Sequence, residues 1–158
     1  MSRTIISRVL KSPDDTTEFA HRFAACLKAG DTILFSGGIG AGKTHFARAV
    51  IQSLLLEPED VPSPTFTLVQ TYDTSLGPLW HADLYRLTGS GDVFELGLID
   101  AFGKEICLIE WPDRLGEDWP DAALDVALQM TATEGERHVR MTSNDTAWED
   151  RLTGVMDV

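Results

Sequence analysis

Basic runs, dense cysteines and long apolar segments are all missing from this sequence, and each absence removes a class of function. None of the 13 Lys and Arg residues has another beside it, and the 158-residue chain carries a formal charge of -12. Such an acidic surface repels nucleic-acid phosphates and anionic membranes unless a basic patch is sharply localised. A role on nucleic acid would therefore pass through a protein partner. Only two cysteines occur, Cys26 and Cys107, each in an apolar context. They have neither metal-ligand spacing nor the density of a secreted disulfide scaffold, so both read as reduced core residues. No apolar run reaches the roughly 18 residues of a membrane span, and "MSRTIISRVL" lacks the apolar centre of a signal peptide. A cytoplasmic protein without membrane association is expected. Repeats, low-complexity segments and linkers are absent too, which leaves one domain over residues 1–158, long enough to bury a core.

What is present reads as alternating helices and strands. "SPDDTTEFAHRFAACLKAGD" opens with capping residues and sets Phe19, Phe23 and Leu27 on one helical face beside Ala20 and Ala24, with Gly30 as the expected stop. "TILFSGG" follows as a short buried strand over 32–35, and "KTHFARAVIQSLLL" spaces Phe46, Ala49, Val50 and Leu54 as in an amphipathic helix packed on a sheet. The prolines of "VPSPTFTLVQTYD" forbid helix, and a strand is expected over 65–72, with "SLGPL" as the turn and "LWHADLYR" as the returning strand. "EICLIEW" reads as a buried strand over 105–111 stopped by Pro112, and "LDVALQM" and "RHVRMTS" as two antiparallel strands about "TEGE". Trp148, Leu152, Val155 and Met156 predict a short docked helix in the tail. The pattern is that of an α/β domain with a mixed sheet.

"SGGIGAGKTH" carries the chemistry. Gly37, Gly42, Lys43 and Thr44 complete G-x-x-x-x-G-K-[ST], the phosphate-binding loop of nucleoside triphosphatases. Glycines let backbone N–H groups converge on phosphates, the next helix presents its positive end, Lys43 reaches the outer phosphates, and the Thr44 hydroxyl suits Mg2+. The strand before and the helix after supply the required context. Such a loop also needs an acid at a strand end for the metal and the attacking water. Glu110 ends the apolar run "ICLIE", where a charge without a partner is normally excluded, and Asp83 follows the strand of "WHAD". A turn or cap role is the plain alternative for Asp83, and a strand-edge surface acid that for Glu110. His81 reads as a hydrogen-bonding support. The absence of N-K-x-D leaves guanine recognition unsupported, and no arginine-rich lid of a nucleotide kinase is present. Hydrolysis of ATP is the simplest activity.

The segments "GGIGAGKT", "VPSPTFTLVQTYD", "WHADLYRL", "ELGLIDAF" and "CLIEWPDRL", in that order, closely resemble the TsaE family, the ATPase of bacterial tRNA threonylcarbamoyladenosine synthesis. The resemblance covers nearly the whole chain. It implies a three-layer, P-loop NTPase-like single domain whose mixed central sheet is flanked by helices. It also implies binding of ATP and Mg2+, slow hydrolysis by the protein alone, and action in a complex with TsaB and TsaD that modifies tRNA. Carried onto this chain, the phosphate contacts fall on Gly37, Gly38, Ile39, Gly40, Ala41, Gly42, Lys43 and Thr44, and the Mg2+ ligands on Thr44 and Glu110. Asp83 is the acid needed for hydrolysis, so that the catalytic set is Asp83, Lys43 and Glu110. Thr65 belongs to a switch-like segment facing the terminal phosphate, Trp111 reports on the nucleotide, Thr16 stands near the adenine, and Arg137 lies beside the nucleotide.

Two positions depart from the family pattern G-D-L-G-A-G-K-T-T: Gly38 replaces the acid and His45 the second threonine. His45 could donate to an inner phosphate in place of the missing hydroxyl, or face solvent. Gly38 removes a negative charge beside the loop at some cost in rigidity. Two other functions stay open from the residues alone, a small-molecule phosphotransferase and a nucleotide-gated binding module with negligible turnover. The role of Asp83 is open too, as base, outer metal ligand or orienter of Lys43.

Overall fold

The computed structural model describes residues 3–64, 67–87 and 97–156. The strands are β1 (Arg3–Leu10), β2 (Thr32–Ser36), β3 (Val69–Thr74), β4 (Gly77–Asp83), β5 (Ile106–Glu110), β6 (Leu124–Met130) and β7 (Arg137–Ser143). The helices are α1 (Pro13–Ala24), α2 (Lys43–Leu54), α3 (Leu98–Ala101), α4 (Ala147–Arg151) and α5 (Thr153–Met156), with a 3-10 segment over Pro112–Asp118. Among the described residues the strands form one mixed sheet in the order β1-β7-β6-β2-β5-β4-β3. Its centre is parallel, β2 lying between β5 and β6 and β4 beside β5, while β1, β7 and β3 join antiparallel at the flanks.

Side-chain alternation sends the two faces of the central strands into two cores. Ile33, Phe35, Ile106 and Leu108 face α1 and α2, which contribute Phe19, Phe23, Phe46 and Val50; Trp148, Leu152 and Val155 of the tail close the same layer. Leu34, Cys107 and Ile109 face the other way, against Leu98 and Ala101 of α3 and Leu115. This is the three-layer α/β, P-loop NTPase-like arrangement. Strands covered on both faces read as continuous apolar runs, which is why β2 and β5 are conspicuous in the sequence.

Local chemistry sets the ends of α1. The Ser12 hydroxyl accepts from the Asp15 N–H at 3.1 Å, Pro13 opens the first turn, and Asp14 and Asp15 complement the positive helix end. The helix stops at Ala24, six residues short of Gly30, although Leu27 is still buried. Gly30, at φ +93, makes the turn into β2 instead, and a Cβ there would lie 2.9 Å from the Gly103 carbonyl oxygen. The strand expected over 65–72 begins only at Val69, because Leu68 takes a left-handed φ of 69; Thr65 lies outside the described residues. The tail forms two short helices broken at Leu152 rather than one.

The edge strand β1 was not legible. It pairs with β7 and shifts register between Thr4 and Ile6. Its inward positions are Ile6, Arg8 and Leu10, and the Arg8 guanidinium lies 5.7 Å from the centre of the Phe19 ring. A charged head over an aromatic face fills a core-facing position without an apolar residue, which hides the alternation.

Both cysteines are free, as expected. Burial pushes the Cys107 thiol up to about 12, helped by the charge of Glu105, and burial also raises Cys26 against the pull of Arg151. Neither is a thiolate at neutral pH. Among the described residues no helix is long and apolar enough to cross a membrane.

Half-buried Asp125 accepts from Ser36 Oγ at 3.0 Å, and desolvation raises its carboxyl above the ordinary range against the pull of Ser36 and Arg140. A carboxyl whose folded pKa is raised stabilises the fold only below its unfolded pKa, and that contribution is lost as pH rises through the folded value. Asp125→Asn keeps an acceptor for Ser36 and removes the buried charge. It is expected to raise the urea midpoint at pH 7 and to lose this advantage in acid, where Asp125 is protonated.

Candidate functional site

The parallel strands bring their carboxyl ends to one edge, where open α/β sheets bind ligands. Glu110 pairs in register with Phe35 on one side and Asp83 on the other, so the two acids stand next to each other at the level of the last residues of β2. The chain then leaves β2 through Gly37 at φ 138, where a Cβ would sit 2.3 Å from the Leu128 carbonyl oxygen. Only glycine fits there. Gly42, at φ 100, turns the loop into α2.

Lys43 closes the loop from inside. Its Nζ donates to the carbonyl oxygens of Gly37 at 2.7 Å and Gly38 at 2.8 Å, and lies 4.1 Å from the centre of the Trp111 ring. Burial pulls the ammonium below its ordinary value, while the charges of Glu110 and Asp83 act in the opposite direction. Trp111 reaches this position because it takes a left-handed φ of 58 directly after β5, and its ring also packs on Tyr85 at 4.8 Å. One step along α2, the Thr44 hydroxyl donates to Glu110 Oε1 at 2.6 Å. Glu110 is only 2% exposed, and its other oxygen lies 2.7 Å from Nε2 of the fully buried His81. Asp83 Oδ1 accepts from the Tyr85 N–H at 3.0 Å, which fixes the carboxylate at the turn after β4.

These groups share one cleft of about 380 Å3. It is lined by Ile39, Gly40, Ala41, Gly42, Lys43, Thr44 and His45 from the loop, with Asp83, Tyr85, Glu110 and Trp111 from the strand ends. Gly37 and Gly38 join through the Lys43 bonds. Arg137, the first residue of β7, clamps the outside of the loop: its Nε donates to the Ala41 oxygen at 2.9 Å and its Nη2 to the Gly40 oxygen at 3.2 Å. Thr16 does not line the cleft. It is buried in α1, and its hydroxyl has no hydrogen-bond partner.

The two unusual loop positions now have surroundings. A Cβ at Gly38 would meet nothing within 4 Å, so no steric demand keeps this residue small. His45 is half-buried rather than turned out to solvent. Its Nε2 lies 2.9 Å from Thr17 Oγ1 and 3.2 Å from the Pro13 oxygen, tying the first turn of α2 to that of α1. Sequence reasoning missed Tyr85 in the cleft wall and Thr17 and Pro13 as the partners of His45. Tyr85 stands two residues beyond Asp83 in "HADLYR", the one local signal that could have found it.

The oxygen donors Thr44, Glu110 and Asp83 suit a hard cation. Among the described residues no group of three or more His, Cys, Asp or Glu side chains forms a metal cage. Oxygen donors of this kind fit Mg2+, which keeps waters and takes substrate phosphate oxygens beside one or two carboxylates.

The family model described as "Threonylcarbamoyl adenosine biosynthesis protein TsaE" matches residues 10–139, from the end of β1 to the middle of β7. The chain belongs to the TsaE family. Relatives named tRNA threonylcarbamoyladenosine biosynthesis protein TsaE include that of Rickettsia bellii, 38% identical over 77% of this chain and 85% of its own length. The Bacillus subtilis protein of that name is 33% identical over 87% of this chain and 85% of its own. The crystal structure of YdiB from Bacillus subtilis superposes with a TM-score of 0.76 at 27% identity, covering 98% of this chain and 95% of that one.

Proposed function

We propose that the chain is the ATPase of tRNA N6-threonylcarbamoyladenosine biosynthesis, binding ATP with Mg2+ in this cleft and hydrolysing it slowly alone. In this reading it acts in the cytoplasm in complex with TsaB and TsaD and reaches tRNA only through them. The observation that carries the reading is the 2.6 Å bond from Thr44 to Glu110, which joins the phosphate loop to a buried strand-end carboxylate. Loop amides and Lys43 would hold the phosphates, and Thr44 and Glu110 the metal. Bound Mg2+ would neutralise phosphate charge and orient the terminal group. Asp83, which accepts from the Tyr85 N–H beside Glu110, would orient the attacking water. The formal charge of -12 supports a partner-mediated approach to tRNA.

Phosphate release from ATP with Mg2+, measured for the chain alone and with TsaB and TsaD added, tests the proposal. Turnover alone should be slow, and association with the partners should depend on nucleotide. Asp83→Ala is expected to lower turnover about tenfold, the ~1.4 kcal/mol of one lost hydrogen bond, and to change the Kd for ATP less than about twofold. An equal loss in both would make Asp83 a binding residue. Labelled γ-phosphate recovered on a sugar or nucleoside acceptor instead of as free phosphate would make the chain a phosphotransferase.

A further inference from the structure

We propose that His81 is the positioning residue for the metal-supporting carboxylate: its Nε2–H fixes one Glu110 oxygen so that the other is presented to Thr44 and the cation. The inference rests on the reading of Thr44 and Glu110 as the Mg2+ residues. A carboxylate that serves a cation only accepts hydrogen bonds, so the 2.7 Å contact requires the proton on His81 Nε2. Nδ1 is the ring nitrogen that is buried with no partner, so Nε2 makes the one hydrogen bond of the ring. The Thr44 hydroxyl donates to Oε1 and the imidazole to Oε2, one donor on each oxygen. With both in place the carboxylate cannot rotate about its terminal torsion. Outer partners that orient a metal-binding group in this way commonly change metal affinity by 10–100-fold when removed.

Two competing roles for His81 fit less well. A pin between β4 and β5 is not needed, because the backbone ladder already joins these strands from Leu79 and Ile106 to Asp83 and Glu110. A base or phosphate ligand is excluded by position, since His81 is 0% exposed and forms no part of the cleft wall. Its neighbours on the same face of β4 and β5 include the core residues Leu79 and Leu108. An apolar side chain would satisfy such surroundings at lower desolvation cost than a ring with one unpaired nitrogen. What an apolar residue lacks is the donor to Glu110.

The test compares His81→Leu, which removes the donor, with His81→Gln, whose amide nitrogen can occupy the place of Nε2. The Kd for a non-hydrolysable ATP analogue is measured by calorimetry in EDTA and in saturating Mg2+. His81→Leu should bind within about twofold of the unaltered chain in EDTA and lose about tenfold of the gain that Mg2+ brings, with His81→Gln recovering most of it. A full Mg2+ gain in His81→Leu, or an equal loss with and without Mg2+, overturns the inference alone. Absence of any Mg2+ gain in the unaltered chain overturns the metal reading and the inference with it. Nitrogen NMR of the unaltered chain gives a readout that needs no variant. It should show His81 carrying a proton on Nε2, and a ring protonated on Nδ1 alone overturns the inference.

Discussion

Lys43→Ala is expected to weaken nucleotide binding about hundredfold and to bring ATP turnover below detection. The residue has one ammonium and three places to put it: the Gly37 and Gly38 carbonyls and the face of Trp111. All three hold the ammonium inside the loop, so a phosphate bound by the loop would meet a cation already in position. The charge-assisted bonds lost with the side chain are each worth about 1.5–3 kcal/mol, and ~2.7 kcal/mol corresponds to a factor of a hundred. Lys43→Met, which keeps most of the apolar stem against Trp111, should lose as much affinity as Lys43→Ala if charge is what matters. Lys43→Arg should not restore binding, because a planar fork cannot reproduce a compact ammonium held by two carbonyls. Titration calorimetry with ATP separates these cases. Affinity in Lys43→Met close to that of the unaltered chain would show that the lysine closes the loop without meeting the phosphate.

The parts of the molecule that could be read from the sequence are those whose signal is local. β2 and β5 are covered on both faces, so their apolar runs stand out; α2 shows its stripe because one face meets the sheet; and the β6–β7 hairpin alternates about a glycine turn. β1 escaped because Arg8 fills an inward position by laying its head over Phe19. The end of α1 escaped because Leu27 remains buried after the helix has stopped, so burial alone prolonged the pattern. In the cleft the same division holds. Lys43, Thr44 and Glu110 were legible from a motif and from a charge at the end of an apolar strand. The contact of His45 with Thr17 spans 28 residues and depends on how α1 packs beside α2, which no spacing records. The bond from His81 to Glu110 spans 29 residues and follows from the register of β4 on β5. Asp83 shows why residue type alone left alternatives: it holds the turn at Tyr85 and lines the cleft at the same time.

Phe46→Ala should be the most destabilising single change, costing about 4–5 kcal/mol in the urea unfolding free energy, the upper part of the range for a buried aromatic. Phe46 is 0% exposed and meets Phe19, Phe23 and Phe35 at centroid distances of 6.1, 5.8 and 5.6 Å in edge-on or tilted geometry. It thereby locks α1, α2 and the central strand β2 together. Three aromatic contacts are lost along with the buried area, and a cavity opens where the two helices meet the sheet. Phe46→Leu fills most of that space and should cost about 1–2 kcal/mol. The position also decides how folding and binding are coupled, because Phe46 lies two residues after Thr44 on the same helix. A domain with a typical stability of about 5–15 kcal/mol would be left near its threshold by the alanine variant. Ligand that binds only the folded state restores stability by RT ln(1 + [L]/Kd), so ATP with Mg2+ at about a hundred times Kd should return ~2.7 kcal/mol. The expected result is a marginal variant whose unfolding midpoint rises with nucleotide by as much as that of the unaltered chain. A smaller rise would mean that the aromatic cluster shapes the loop itself and does not only hold the helix that carries it.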